Sequence, residues 1–348
     1  MSYLEENANT GRVILPDLVR AFALFGIVLV NVAYIAYPGD ITYHAGGLES
    51  GADKAAYFSV NAIFLLKSYT LFSFMFGVGL AYQISSAERH GVSFAASYIR
   101  RMIALIVLGT LHVTMAFSGD ILIVYGVIGL LLYLFRNKSP KTLKRIGIGL
   151  IVVQLLVITL FTVLLYLFET YSIDEYILFQ TEMQADRNKA IRIFSSGSFL
   201  DAIMQRWHEW FILVKMVAPL QAPGVLAFFL FGLAAVRSGL FSDPNSPFWS
   251  KSRRLYLPLG ILLSVVGAYW FTAGDTTGFE GLAGMALLLL AAPFSSLGYI
   301  GLIAQWSTRP ATPLKTFIAR GGTASLTAYL LQSMILSLLF CGYGFGLY

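Results

Sequence analysis

"RRMIALIVLGTLHVTMAFSGDILIVYGVIGLLLYLF", Arg100 to Phe135, holds two apolar runs joined by only Ser118, Gly119 and Asp120. Each run is continuous rather than alternating, so each reads as helix, and the short polar joint makes the pair a tight helical hairpin. Two residues do not fit an oily segment: His112, inside the first run, and Asp120, at the turn. What they do there is the main functional question that the chain raises.

Working outward, the same pattern fills the sequence. Of 348 residues, 57% are hydrophobic and only 12% are charged, with a mean hydropathy of +0.73, far from the balance of a soluble domain. We expect an all-α, polytopic helical membrane protein, a single transmembrane domain over 1–348 with nine spans: 18–37, 64–84, 102–117, 121–135, 146–168, 217–236, 255–273, 281–305 and 317–340. A charge-rich connection, 169–206, is expected to form a polar helical subdomain on the outer side. It leads into "RWHEWF", Arg206 to Phe211, where Trp207 and Trp210 read as interface anchors and His208 as solvated.

Basic residues set the threading. Sixteen of the 24 lysines and arginines, from Arg12 through Arg100, Arg101 and Arg145 to Arg320, fall on alternate connections, which predicts those connections and the amino terminus to be cytoplasmic. The net charge of +6 therefore belongs to membrane topology and implies no nucleic-acid partner. Glu5, Glu6 and Asp17 precede the first run, which is read as a retained helix and not a cleaved signal. One cysteine, Cys341, excludes an intrachain disulfide framework. Four histidines without ligand spacing give no metal site, and the absence of G-x-S-x-G, Walker A and dinucleotide motifs excludes the usual soluble hydrolase and nucleotide-binding classes.

A repeat is also suggested. "FMFGVGL" from Phe74 and "FLFGLAA" from Phe229 are offset by 155 residues, as are Gly119-Asp120 and Gly274-Asp275; the offset either marks two parallel repeats or is coincidence. Under it, His112 corresponds to Gly267.

Ionisable groups at membrane depth are costly, so each is a site hypothesis with a structural alternative. Asp17 and Arg20, three residues apart, can pair on the first helix. Lys67, some ten residues inside the outer end of the second helix, needs an anion, a polar cavity, a backbone carbonyl or Asp17. His112 is either satisfied by a hydroxyl such as Thr114 or a carbonyl, or serves as a general base or proton relay beneath Asp120. On an ideal helix Asp120 would stand about 12 Å above His112, so a direct bond requires a broken helix or a bridging water.

"LPDLVRAFALFGIVLVNV" from Leu15, "LFSFMFGVGLAY" from Leu71, the Arg100–Phe135 hairpin, "SGSFLDAIMQRW" from Ser196 and "GTASLTAYLLQS" from Gly322 resemble, in order, the motifs of the YeiB-like bacterial inner-membrane proteins. That family is distantly similar to transmembrane acyltransferases, among them heparan-α-glucosaminide N-acetyltransferase and bacterial sugar O-acyltransferases. The resemblance implies a first-helix site at Arg20 and Asn31, but the O-acyltransferases have histidine where Asn31 stands, which moves the base to His112, oriented by Asp120. It further implies binding by Thr327, Tyr329, Gln332 and Ser333, although the family usually has arginine and asparagine where Thr323 and Ala328 stand; Lys67, Arg100, Arg101 and Arg206 are expected to bind substrate or donor from their charge alone, since the heparan-type enzymes carry a histidine near Lys67. A further helix would follow Tyr348. Three functions stay open, in this order: transfer of an acyl group from cytoplasmic acyl-CoA to an envelope glycan, lipid or metabolite; a proton-coupled carrier or flippase; and an envelope scaffold.

Overall fold

The computed structural model describes residues 13–36, 50–274 and 277–347, and every structural statement below refers to them; Arg12, Tyr37 and Asp275 lie outside. They form helices and no strand. In chain order these are α1 (Leu15–Ala36), α2 (Gly51–Ile63), α3 (Lys67–His90), α4 (Phe94–Met115), α5 (Leu122–Tyr133), α6 (Pro140–Tyr171), α7 (Ile173–Ser196), α8 (Phe199–Met216), α9 (Ala218–Arg237), α10 (Pro247–Lys251) with a π-helical turn (Ser252–Tyr256), α11 (Leu257–Ala273), α12 (Phe279–Ser307), α13 (Pro313–Thr323) and α14 (Ser325–Phe340).

Seven helical segments are long and apolar enough to cross a membrane, and an eighth is obtained if α13 and α14, bent by 85°, count as one. This is a multi-pass membrane protein. One expected span is corrected: the fourth is α5, whose 12 residues rise only about 18 Å, short of a hydrocarbon core of roughly 30 Å. The second lies within Gly51–His90, a single segment long enough to cross, inside which Leu66 takes a left-handed φ of 65° between α2 and α3.

Outward faces are oily, and inward faces mix apolar side chains with glycine and a few polar groups. On α4, Ile103, Val107, Leu111 and Met115 are exposed at four-residue spacing, whereas Met102, Leu105, Gly109 and His112 are buried. With no water to drive association between such helices, close backbone packing does the work. The clearest instance is the crossing of α3 and α9. A Cβ on Gly77 would sit 1.9 Å from the Phe229 carbonyl oxygen, and one on Gly232 would sit 2.0 Å from that of Phe74. A contact in which i meets j and the counterpart of j meets the counterpart of i is what a local two-fold axis imposes. It falls on the two "FxFG" segments that the 155-residue offset relates. The neighbours follow the same rule: α4 packs on α5 as α11 packs on α12, α8 touches α4 as α2 touches α11, and α5 meets α9 as α12 meets α3.

Between Gln154 and Pro223 the sequence solves a local problem. Pro223 interrupts the hydrogen-bond ladder of α9. The buried Gln154 side chain crosses from α6 to donate to the Leu220 carbonyl at 2.9 Å. The end of α6 caps α12, with the Phe279 N–H donating to Glu169 at 3.0 Å.

Candidate active site

The hairpin that opened the sequence reading is built around a buried histidine–aspartate pair. α4 loosens one residue at a time after His112: the Ala116 and Phe117 N–H groups both donate to the His112 carbonyl, at 2.8 and 3.1 Å. The chain reverses over Ser118 and Gly119, and Asp120 comes back down against the helix it has just left. His112 Nδ1 and Asp120 Oδ2 are 2.8 Å apart, with both side chains essentially inaccessible. The broken helix end thus removes the 12 Å that ideal geometry gives. Gly109 makes room, since a Cβ there would lie 2.6 Å from Asp120 Oδ1. That same oxygen accepts the Ile123 N–H at 3.0 Å, so the carboxylate also secures the first turn of α5.

The pairing fixes the tautomer. A carboxylate only accepts, so in the neutral imidazole Nδ1 carries the proton and donates it to Asp120, and Nε2 keeps a lone pair. Nε2 is buried and has no partner within the protein. The imidazole packs on the ring of Tyr329 from α14, centroids 5.1 Å apart, and the Tyr329 hydroxyl accepts the Ile121 N–H at 3.4 Å.

A cavity of about 300 Å³ is lined by neither His112 nor Asp120 but includes Leu122, two residues after Asp120 in the chain. Leu122 and Tyr125 of α5 form one wall, and α3 contributes Phe72, Met75, Phe76 and Gly79. Arg20 of α1, Arg101 of α4 and the α13–α14 bend at Gly322, Thr323, Ser325 and Leu326 complete it. Tyr125 is held by Ser73 at 2.6 Å and donates to the Tyr69 carbonyl at 3.3 Å. Arg20 also bonds Asp17 at 3.1 Å. The cavity therefore combines aromatic walls with two guanidinium groups, a lining suited to an apolar arm ending in phosphate.

The remaining predicted residues scatter. Arg100 is exposed and lies off the cavity, as does Thr327. Asn31 is half-buried on the outer part of α1. Ser333 is buried and donates to the Tyr329 carbonyl at 3.5 Å. Lys67 is fully buried, and its ammonium donates to the Asn61 carbonyl at 3.4 Å, at the carboxyl end of α2. That is the backbone-carbonyl arrangement, and it complements the negative end of a helix.

Arg206 belongs to a second polar cluster, at the turn end of the hairpin. Buried to 2% exposure, it donates to the Thr114 carbonyl at 3.3 Å, to Ser337 at 3.0 Å and to Tyr343, joining α8, α4 and the carboxyl-terminal segment. Glu209, one turn along α8, accepts from Ser118 of the hairpin at 2.7 Å and from Gln205 at 3.3 Å. Burial pushes the Glu209 carboxyl above its ordinary range, against the lowering effect of those bonds and of Arg206. A cavity of about 20 Å³ between the two charges and Ser118 has room for one water. Sequence reasoning missed Glu209, Gln205 and Ser118. The signal was the spacing Ala202, Gln205, Arg206, Glu209, an i, i+3, i+4, i+7 stripe that is buried although mostly polar. Trp207, read as an interface anchor, donates to Thr114 at 3.2 Å, while His208 is half exposed beside Asp186.

Residues 235–348 match a family model described as "Protein of unknown function (DUF418)". The Bacillus subtilis (strain 168) protein YxaH, described as uncharacterised, is 30% identical over 368 aligned residues, covering 100% of this chain and 86% of its own. The chain belongs to the YeiB-like DUF418 family. Escherichia coli (strain K12) YeiB, also described as uncharacterised, is 27% identical over 95% of this chain and 84% of its own. A third relative, an uncharacterised 39.9 kDa protein from the amylase 3′ region of Bacillus acidopullulyticus, is 30% identical over 51% of this chain and 50% of its own. No solved structure matches the chain. The DUF418 match covers α14 with Tyr329 and Gln332, whereas the histidine–aspartate pair lies outside it.

Proposed function

We propose that this DUF418 protein is an acyltransferase of the bacterial inner membrane, with its amino terminus in the cytoplasm and the 169–206 region outside. The observation that carries the reading is the buried His112–Asp120 pair, whose Nε2 has no partner, on the hairpin whose Leu122 and Tyr125 line a cavity that also holds Arg20 and Arg101. The cytoplasmic acyl-CoA donor enters at the two arginines, which bind its phosphates, and its pantetheine arm follows the aromatic wall towards Leu122.

His112 Nε2 takes the proton of an acceptor hydroxyl as the hydroxyl oxygen bonds to the thioester carbonyl carbon. The carbon–sulfur bond then breaks, and the thiolate leaves with the proton that His112 returns, giving an ester and free CoA. Asp120 stabilises the imidazolium that forms between the two steps, and burial of the pair strengthens that interaction. Lys67, turned to a backbone carbonyl, takes no part.

Purified protein incubated with radiolabelled acetyl-CoA and a bacterial envelope extract is expected to transfer label, and His112→Ala to lower the rate by about 10²–10⁴-fold. Undiminished transfer by His112→Ala removes the histidine as base. Proton-coupled uptake of an anion into proteoliposomes without any transfer replaces the reading with a carrier.

A further inference from the structure

We infer that α13 lies in the plane of the membrane, with the side chains of Leu314 and Phe317 inserted into the lipid interface at the basic end of the bundle. The inference needs only the multi-pass architecture and does not rest on the acyl-transfer reading.

α13 is amphipathic the wrong way round for water. A helix on a wetted surface turns its lysine outward and its large apolar side chains inward. Here Lys315 is buried, and its ammonium donates to the Ser307 and Arg309 carbonyls at 2.8 and 2.6 Å, where it closes the carboxyl end of α12. Ala319 and Gly322 share that inner face. Ala319 packs into the core cluster of Leu15, Trp249 and Ala304, and a Cβ on Gly322 would lie 1.8 Å from the Asp17 carbonyl oxygen. Leu314 and Phe317 are left on the opposite face, 64% and 76% exposed, more than Ile103, Val107, Leu111 or Met115 on the outward stripe of α4. The sequence sets this phase: Thr312 caps the helix by accepting the Lys315 N–H at 3.2 Å, and Pro313 follows at the first position.

What covers the two side chains follows from where the helix lies. α14 runs among acyl chains, since Leu331, Ile335 and Leu338 are exposed on it at helical spacing, and α13 meets it at 85°. A helix at right angles to one that descends through the bilayer lies along the bilayer surface, and the 11 residues of α13 extend about 17 Å in that plane. Charge agrees. No acidic residue follows Glu280 in the sequence, and Arg309 and Arg320, both exposed, flank the apolar pair, which suits a surface of anionic headgroups. The bend at Gly322, Thr323, Ser325 and Leu326 walls the 300 Å³ cavity, so the helix seated in the leaflet also holds one side of that cavity.

The test places a nitroxide spin label on Phe317→Cys, in a Cys341→Ala background of the full-length chain, in nanodiscs of phosphatidylglycerol and phosphatidylethanolamine. Collisions with oxygen, which concentrates among acyl chains, are compared with collisions with a water-soluble nickel chelate. Labels on Met334→Cys, exposed about 14 Å along α14 from Ser325, and on Lys189→Cys of α7 mark the acyl-chain interior and water. The Phe317→Cys label is expected between them, about 5–10 Å below the headgroup boundary, with Leu314→Cys at the same depth. Nickel access equal to that of Lys189→Cys overturns the inference by placing the face in water. A depth equal to that of Met334→Cys overturns it by making α13 part of a span. Loss of both kinds of collision overturns it as well, because protein, such as a second copy of the chain, then covers the face. Should Phe317→Cys fail to accumulate, the Leu314→Cys label decides by the same criteria. Acyl transfer enters none of these outcomes.

Discussion

The hairpins α4–α5 and α11–α12 occupy corresponding places in the two halves, yet only the first has a histidine at its centre. In the second hairpin Gly267 stands where the first has His112, and contact is made by small residues, with Gly260, Ser264, Gly267 and Ala268 buried. A Cβ on Gly284 would meet the Phe271 N–H at 2.4 Å, so the two backbones nearly touch. The second hairpin is an internal control. Among the described residues its helices meet through Gly260, Gly267, Ala268 and Gly284 and a Ser264–Ser295 contact at 3.3 Å, without a histidine; Asp275, which corresponds to Asp120, lies outside the described residues. The histidine of the first hairpin is thus not required to pack such a pair of helices, which is the physical argument for assigning it chemistry.

The comparison breaks most completely if the shared crossing is filled. Gly232→Leu would drive a side chain into the Phe74 carbonyl, 2.0 Å from where its Cβ must sit. Backbone has no alternative rotamer, so the cost should exceed the roughly 1–3 kcal/mol of ordinary overpacking. We expect protein that fails to accumulate in membranes, measured by fluorescence size exclusion of a tagged chain. Wild-type yield and elution would mean that α3 and α9 do not cross as described.

A sharper cut separates the hairpins from each other. Gly109→Ala places a methyl 2.6 Å from Asp120 Oδ1 and 2.7 Å from the Ile123 N–H, so it should push the carboxylate off His112. Gly267→Ala meets its nearest atoms at 3.0–3.1 Å, where a few tenths of an ångström of adjustment suffice. The expected outcome is about 10²-fold loss of acyl transfer in Gly109→Ala, comparable with removing a general base, against unchanged transfer in Gly267→Ala, with both proteins folded. Equal behaviour of the two variants would erase the distinction on which the functional assignment stands.

Much of this was legible in the sequence, and the illegible parts have physical reasons. Apolar runs announce themselves, so the spans from Leu18, Ile146, Val217 and Gly281 coincide with helices. The break at Leu66 had no such signal, because leucine in a left-handed conformation is not announced by composition; tertiary packing holds it. Lys67 consequently read as a mid-helix charge when it begins a helix and faces the carboxyl end of the one before. The α13–α14 bend was hidden inside a single expected span, although Gly321-Gly322 marked it. His112 and Asp120 were both visible as chemistry, but their contact was not, since extrapolating an ideal helix through Ala116 overlooked that the turn returns the aspartate to its starting level. The polar stripe of α8 escaped because burial was expected to follow hydrophobicity, whereas beside a polar hairpin the buried face is polar as well.

That stripe supplies the smallest effect. Glu209 touches the hairpin from outside, through Ser118, and has no counterpart role in the transfer itself. Its folded carboxyl holds a proton more tightly than the unfolded one, owing first to burial. Below the ordinary glutamate range both states are protonated and the group contributes nothing to pH dependence. As pH rises from there, the unfolded chain ionises first and folding loses stability, until the folded carboxyl ionises too and the full penalty stands. Glu209→Gln is neutral throughout and its amide oxygen still accepts from Ser118. It should therefore match the wild type in melting temperature at pH 4 and exceed it at pH 8. The gain should be under about 4 °C, because 1 kcal/mol moves a domain of 150–250 residues by roughly 2–4 °C. A variant that melts lower at pH 8 would instead make the ionised carboxylate a net partner of Arg206.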